Sequence, residues 1–116
     1  MTEEIKKEEI TQEQIAQWKK QYGEENIYRA TIAGKVFIYK CLFRNEFKSI
    51  AKQGSTIMNP VDSNIFMEEQ NVVLGVIHPK ISPTNIDTYP AGTISRLSEL
   101  IMEASGFDEQ AEGERL

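Results

Sequence analysis

Two short segments rich in β-branched and aromatic residues, 27–33 and 35–40, are the feature that most restricts the fold of this chain. Such segments are typical of β-strands. Gly34 lies between them and can adopt the positive φ that a tight two-residue turn needs. The sequence therefore predicts a β-hairpin. Both of its faces carry apolar side chains, and two strands alone are marginal in water, so helices or a partner must cover it.

A helical spacing of apolar residues predicts about four helices around this hairpin, at residues 12–22, 44–53, 65–77 and 93–105. The first helix begins at a Thr11–Gln14 capping box. Residues 54–62 are expected to form a loop, with Ser63 or Asn64 capping the third helix. The last helix should end at Gly106, where Phe107 makes the apolar contact of a Schellman stop.

These elements indicate an α+β fold, a small β-hairpin packed against about four α-helices, with flexible acidic termini. A chain of 116 residues is about the size of one domain. We assign residues 11–107 to that α+β domain, 1–10 to a flexible acidic N-terminus, and 108–116 to a disordered acidic tail. The net charge of −5 arises at the ends, and the middle of the chain is almost neutral.

The charge and residue usage exclude several classes of function. An acidic chain has no electrostatic footprint for nucleic acid or an anionic membrane. Cys41 is the one cysteine and His78 the one histidine, which leaves no internal disulfide and no spaced set of metal ligands. We expect His78 to lie at a helix end, near its last carbonyl groups. No catalytic motif is apparent. We therefore expect a protein that is not an enzyme, needs no cofactor and, lacking an apolar N-terminal segment, stays in the cytoplasm.

Aromatic residues are the side chains that best suit a protein-binding role, although in a small domain they are more often part of the core. A hairpin with apolar residues on both faces also offers an open edge to which a partner can add a strand. We take the following residues as candidates for protein binding: Trp18, Tyr22, Tyr28, Phe37, Tyr39, Tyr89 and Phe107.

Two stretches of the chain resemble a known family. Trp18-Lys-Lys-Gln-Tyr-Gly23, the hairpin after it, and Phe43-Arg-Asn-Glu-Phe47 resemble the first half of small tail-assembly proteins of contractile-tailed bacteriophages. The stretch from Tyr89 to Phe107 resembles their closing segment, in which Pro-Ala-Gly starts a helix that ends at Ser-Gly-Phe. The resemblance spans roughly residues 15–107, and its motifs are architectural rather than catalytic.

The resemblance implies a tail-assembly chaperone or a baseplate-hub assembly protein, made in the cytoplasm of an infected bacterium. Its partner would be a phage tail protein, namely the tape-measure, baseplate-hub or tube protein, and self-association is a further option. The alternative is a structural subunit of the baseplate or tail that remains in the virion. A regulator that binds a host enzyme is a third reading, and an enzyme a distant fourth.

Overall fold

The structure is a computed structural model that describes residues 10–107 and 111–116. Most of the predicted flexible N-terminus, residues 1–9, lies outside the described residues, as does the start of the predicted acidic tail, 108–110. Residues 111–116 are exposed and form neither helix nor strand.

The described residues form an α+β fold, which confirms the predicted class. Four α-helices and three strands follow one another along the chain: α1 Gln12–Tyr22, β1 Ile27–Ile32, β2 Lys35–Lys40, α2 Arg44–Gly54, α3 Pro60–Gly75, β3 Val76–His78 and α4 Ala91–Ala104. Two short 3-10 turns, Glu24–Asn26 and Ile86–Thr88, lie in the connections.

The predicted hairpin and its turn are confirmed. Ala33 and Gly34 have φ values of 52° and 80°, the two positive angles of a turn whose twist matches that of the strands. Strands β1 and β2 are antiparallel, with Ile32 opposite Lys35 and Tyr28 opposite Tyr39. The sheet is wider than predicted, because β3 pairs antiparallel with the other side of β2, giving the order β1-β2-β3.

The prediction for residues 54–78 was wrong at both ends of the third helix. Helix α3 begins at Pro60 because the Asn59 side chain accepts hydrogen bonds from the N–H groups of Val61 and Asp62, and proline suits the first helical position. Ser63 and Asn64 lie inside the helix. The helix ends at Gly75, and Val76 is extended, so the last apolar residues form β3 instead of another helical turn.

The predicted end of the last helix is confirmed. The Phe107 N–H donates to the Met102 carbonyl oxygen at 3.1 Å, and the Gly106 N–H donates to that of Glu103 at 3.0 Å. These are the two bonds of a Schellman motif, and Gly106 supplies its positive φ of 91°. The ring of Phe107 packs against Phe47 at a centroid distance of 4.9 Å, which joins the end of α4 to α2.

Helices lie on both faces of the sheet. The face that carries Phe37 and Tyr39 belongs to the hydrophobic core, together with residues of α2, α3, α4 and the connection after β3. The buried members of that core are Phe37, Tyr39, Leu42, Ile50, Val72, Val76, Ile81, Ile86, Ile94, Leu97 and Ile101. Helix α1 lies over the opposite face, where Ile15 and Lys19 line a groove with Ile38 of β2. Every residue of α1 keeps some exposure, so this helix is the most lightly packed of the four.

The close approach of α3 and α4 gives a test of the core. A Cβ added at Gly75 would lie 2.6 Å from Cδ1 of Ile101, whose side chain is fully buried. We expect Gly75→Ala to lower the free energy of unfolding by about 1–3 kcal/mol, because the packed core leaves Ile101 no free space. The matched control is Gly92→Ala in the first turn of α4, where a Cβ meets nothing within 4 Å. It should be neutral or stabilising. Urea unfolding measures the stability of both variants. An equal change in the two would contradict the close packing of Gly75 against Ile101.

The acid–base behaviour of the core gives a second test. Burial raises the pKa of the Cys41 thiol above its ordinary 9.0 and that of the Tyr39 phenol above its ordinary 10.0. Ionisation is therefore harder in the folded than in the unfolded chain, and stability falls as pH rises through these values. We expect the urea midpoint to be constant from neutral pH and to fall above pH 9.0. In Cys41→Ala the fall should start near pH 10.0. A midpoint that rises with pH would contradict this.

Candidate protein interface

The outer edge of β1 carries backbone groups that pair with no other strand in the described part of the chain. The Cys41 N–H donates to the Asn26 carbonyl oxygen at 3.2 Å, which fixes the alternation of the ladder. Every second residue from Asn26 therefore points its backbone groups toward β2. The N–H and C=O groups of Ile27, Arg29 and Thr31 point the other way, so three donors and three acceptors line the edge.

A groove of about 220 Å³ lies beside this edge, between α1 and the sheet. Three isoleucine side chains and two cations face it, and none of its lining residues is acidic: Ile15, Lys19, Ile27, Tyr28, Arg29 and Ile38. An extended segment paired with β1 would direct every second side chain toward the face on which this groove opens. The edge therefore supplies directional hydrogen bonds, and the groove supplies apolar contact and positive charge.

Helix α1 forms one wall of the groove, and local features position it. The predicted capping box is confirmed, because the Gln14 N–H donates to Oγ1 of Thr11 at 3.1 Å and the Thr11 N–H donates to Oε1 of Gln14 at 2.9 Å. The ring of Trp18 packs on that of His78 with centroids 5.7 Å apart. His78 thus lies in β3 rather than at a helix end as predicted, and it ties α1 across the sheet.

The structure separates the seven predicted binding residues into core and surface. Phe37 and Tyr39 are buried in the core, so their side chains contribute packing rather than contact surface. Tyr28 is 37% exposed and stacks on Tyr39 at 5.3 Å, so its ring lies on the face of the sheet opposite to the groove. Tyr89 is half-buried and packs on Phe37 at 6.3 Å.

The remaining three predicted residues lie at two different places. Trp18 and Tyr22 are half-buried on α1. Phe107 is half-exposed at the end of α4, next to Phe47. The structure therefore places Trp18 and Tyr22 on the helix that forms one wall of the groove, and it places Phe107 on a separate part of the surface. Whether any of the seven binds a partner stays a prediction.

An apolar patch at the start of α3 was not predicted from the sequence. Met58 is 95% exposed, and Val61 and Ile65 are also exposed. The two helical residues are four apart and so share one side of α3. The i, i+4 spacing was a usable signal, but it was lost when residues 54–62 were assigned to a loop.

The described residues hold no group of three or more His, Cys, Asp or Glu side chains arranged to hold a metal ion. Within the same ranges, no helix is both long and apolar enough to span a membrane. Compared with models of known protein families, with curated proteins and with solved structures, the chain matches none. The case that the edge of β1 and its groove bind a protein segment therefore rests on their geometry.

Proposed function

We propose that this protein is a non-enzymatic phage tail-assembly protein that binds an extended segment of a tail component at the β1 edge. The observation that carries the proposal is the row of outward N–H and C=O groups on Ile27, Arg29 and Thr31, next to an apolar groove. Addition of a strand to such an edge gives affinity through the backbone and specificity through alternate side chains. The phage assignment rests on the sequence resemblance.

The charges at the groove select the kind of segment that would bind. Lys19 and Arg29 line the groove, and no acidic residue lines it. A complementary segment therefore carries carboxylates at the rim and apolar side chains at the positions that enter the groove. Charges at the rim mainly accelerate association and select the partner, whereas the backbone pairing and apolar contact hold the complex. We propose a segment of the tape-measure or baseplate-hub protein, with the tube protein as the remaining tail candidate.

A chaperone role accounts for these features in the cytoplasm of an infected cell. A tail component that polymerises exposes strand edges and apolar surface before assembly, and such surfaces aggregate. A small partner that caps them as a temporary strand keeps the component soluble. Neither a cofactor nor a metal ion is required for this. A structural subunit would use the same surface but would remain in the virion.

Co-expression with each tail component tests the proposal. We expect one of the tape-measure, hub and tube proteins to become soluble and to elute with this protein as a complex of defined mass. Recovery of the protein free of all three, with their solubility unchanged, would contradict the proposal. A homodimer formed through β1 in place of any such complex would also contradict it.

Mass spectrometry of purified virions distinguishes the two roles. Absence of the protein from mature particles is expected for a chaperone. Stoichiometric amounts would instead support a structural subunit of the baseplate or tail, which uses the same edge permanently.

A further inference from the structure

A second cavity, which shares no lining residue with the groove beside β1, lies between the end of the hairpin and the start of α4. Its volume is about 340 Å³, within the range typical of small-molecule sites. Ile32, Tyr89 and Pro90 supply its accessible apolar wall. Its polar lining residues are Lys35, Thr88 and Thr93. Polar and apolar groups therefore contribute similar shares of the cavity wall.

The Thr93 side chain is the most informative of these groups. The residue is only 7% exposed, yet its hydroxyl has no hydrogen-bond partner within residues 10–107 and 111–116. No fully buried side-chain nitrogen or oxygen of the described residues lacks a partner. The Thr93 hydroxyl must therefore retain contact with solvent, and Thr93 lines the cavity. A buried hydroxyl in this position is available to donate to a ligand.

Lys35 carries the one formal charge among the residues that line the cavity, and Glu68, Glu69 and Asp87 line a neighbouring pocket that shares Tyr89. Lys35 lies over the Tyr89 ring, 5.8 Å from its centroid, and no carboxylate of the described chain lies within 4 Å of its ammonium. Helix α4 begins after Pro90 with no side-chain hydrogen bond at its cap and no acidic residue in its first turn. The positive end of the helix dipole thus adds to the charge of Lys35. None of the cavity's lining residues is acidic.

We propose that this cavity binds an apolar carboxylate. The carboxylate accepts hydrogen bonds from the Lys35 ammonium and the Thr93 hydroxyl, and the apolar part packs on Tyr89 and Pro90. Charge-assisted hydrogen bonds and aromatic contact are the interactions that such a ligand needs. Two sources supply this chemistry, namely a free organic acid and the C-terminal residue of a polypeptide. The proposal is independent of the β1 edge.

Binding is tested by NMR titration of the full chain with N-acetylphenylalanine, and its carboxamide serves as the uncharged control. We expect saturable shifts at Lys35, Thr93 and the ring of Tyr89, with the carboxamide at least about tenfold weaker. Lys35→Met and Thr93→Val should each weaken the acid by about tenfold. The Thr93→Val variant removes an unpartnered hydroxyl and should keep the unfolding midpoint, so lost binding there cannot be ascribed to unfolding.

Further titrations identify the source of the carboxylate and the results that would overturn the proposal. A peptide that ends in phenylalanine with a free carboxylate should bind as tightly as the amino acid if the source is a polypeptide, and should be excluded if it is a free acid. Equal binding of the carboxamide would overturn the proposal. So would equal binding of inorganic phosphate, because the apolar wall would then play no part. Shifts confined to Arg29 and Lys19, or no saturable shift, would overturn it as well.

Discussion

Replacing Glu46 with alanine is expected to lower the free energy of unfolding by about 3 kcal/mol, because it leaves a buried ammonium without its counter-ion. The Lys40 ammonium lies 2.8 and 3.0 Å from the two carboxylate oxygens of Glu46 and 3.1 Å from the Cys41 carbonyl oxygen. The Lys40 side chain is 7% exposed and that of Glu46 is 24% exposed. Once the carboxylate is removed, the nearly buried ammonium keeps the Cys41 carbonyl oxygen as a hydrogen-bond acceptor and the face of the Phe43 ring, 5.2 Å away, and neither carries a neutralising charge.

Glu46 also stabilises the start of α2, which adds to this loss. Its Oε1 accepts a hydrogen bond from the Phe43 N–H at 2.9 Å, and Phe43 has no side chain able to cap the helix. Loss of a capping interaction costs about 1 kcal/mol. One carboxylate thus joins the end of β2 to the beginning of α2.

The double variant Lys40→Met/Glu46→Ala separates the charge from the cap. It removes the ammonium together with its partner, so it should recover most of the stability lost in Glu46→Ala and retain only the capping loss. Urea unfolding followed by circular dichroism measures all three proteins, provided that the slope of the transition is unchanged. If the single variant stays within about 0.5 kcal/mol of the parent, or the double variant recovers nothing, the ion pair is not a buried one.

The burial of Lys40 was beyond the reach of sequence pattern. Alternation along the second strand predicts that Lys40 lies on the same face as Val36 and Ile38. A lysine at the end of a strand is, however, commonly exposed to solvent. Its burial comes from the turn into α2, which brings Glu46 back over the end of the strand. Local periodicity predicts which face a residue occupies but not which later element covers that face.

The sequence predicted best those elements whose signals are local. The hairpin turn, the capping box of α1 and the Schellman stop of α4 each depend on residues within a few positions of one another. The boundary between α3 and β3 does not. The run from Val72 to Ile77 is almost continuously apolar, and such a run suits a buried helix or a strand equally. The choice is made by β2, which has a free side to which Val76–His78 can pair.

The sequence predicted an open sheet edge without indicating which strand would carry it. An open sheet edge follows from a hairpin, and the structure retains that edge on β1 while β3 covers the opposite side of β2. The aromatic residues were harder to place, because Phe37 and Tyr39 alternate with apolar neighbours and both faces looked equally suited to a partner. The structure puts these two in the core and leaves Tyr28, from the facing strand, at the surface.

The β1 edge is tested most directly by replacing Thr31 with proline. The Thr31 N–H points away from β2, so proline removes no hydrogen bond of the hairpin and is tolerated as edge-strand proline is. It does remove one of three outward donors, and its ring occupies space that an added strand needs. We expect at least about a tenfold loss of affinity for the tail component that co-purifies with the parent protein.

Thr31→Ala is the matched control, because it removes the same exposed side chain and keeps the backbone N–H. Its affinity should stay within about twofold of the parent, since an exposed threonine side chain contributes little. Isothermal titration calorimetry measures the three affinities, and circular dichroism shows that both variants fold. The two substitutions differ at the backbone, so a difference in affinity between the two variants assigns the binding energy to strand addition. If proline and alanine bind equally well, the partner docks elsewhere, and the exposed apolar residues at the start of α3 become the surface to test.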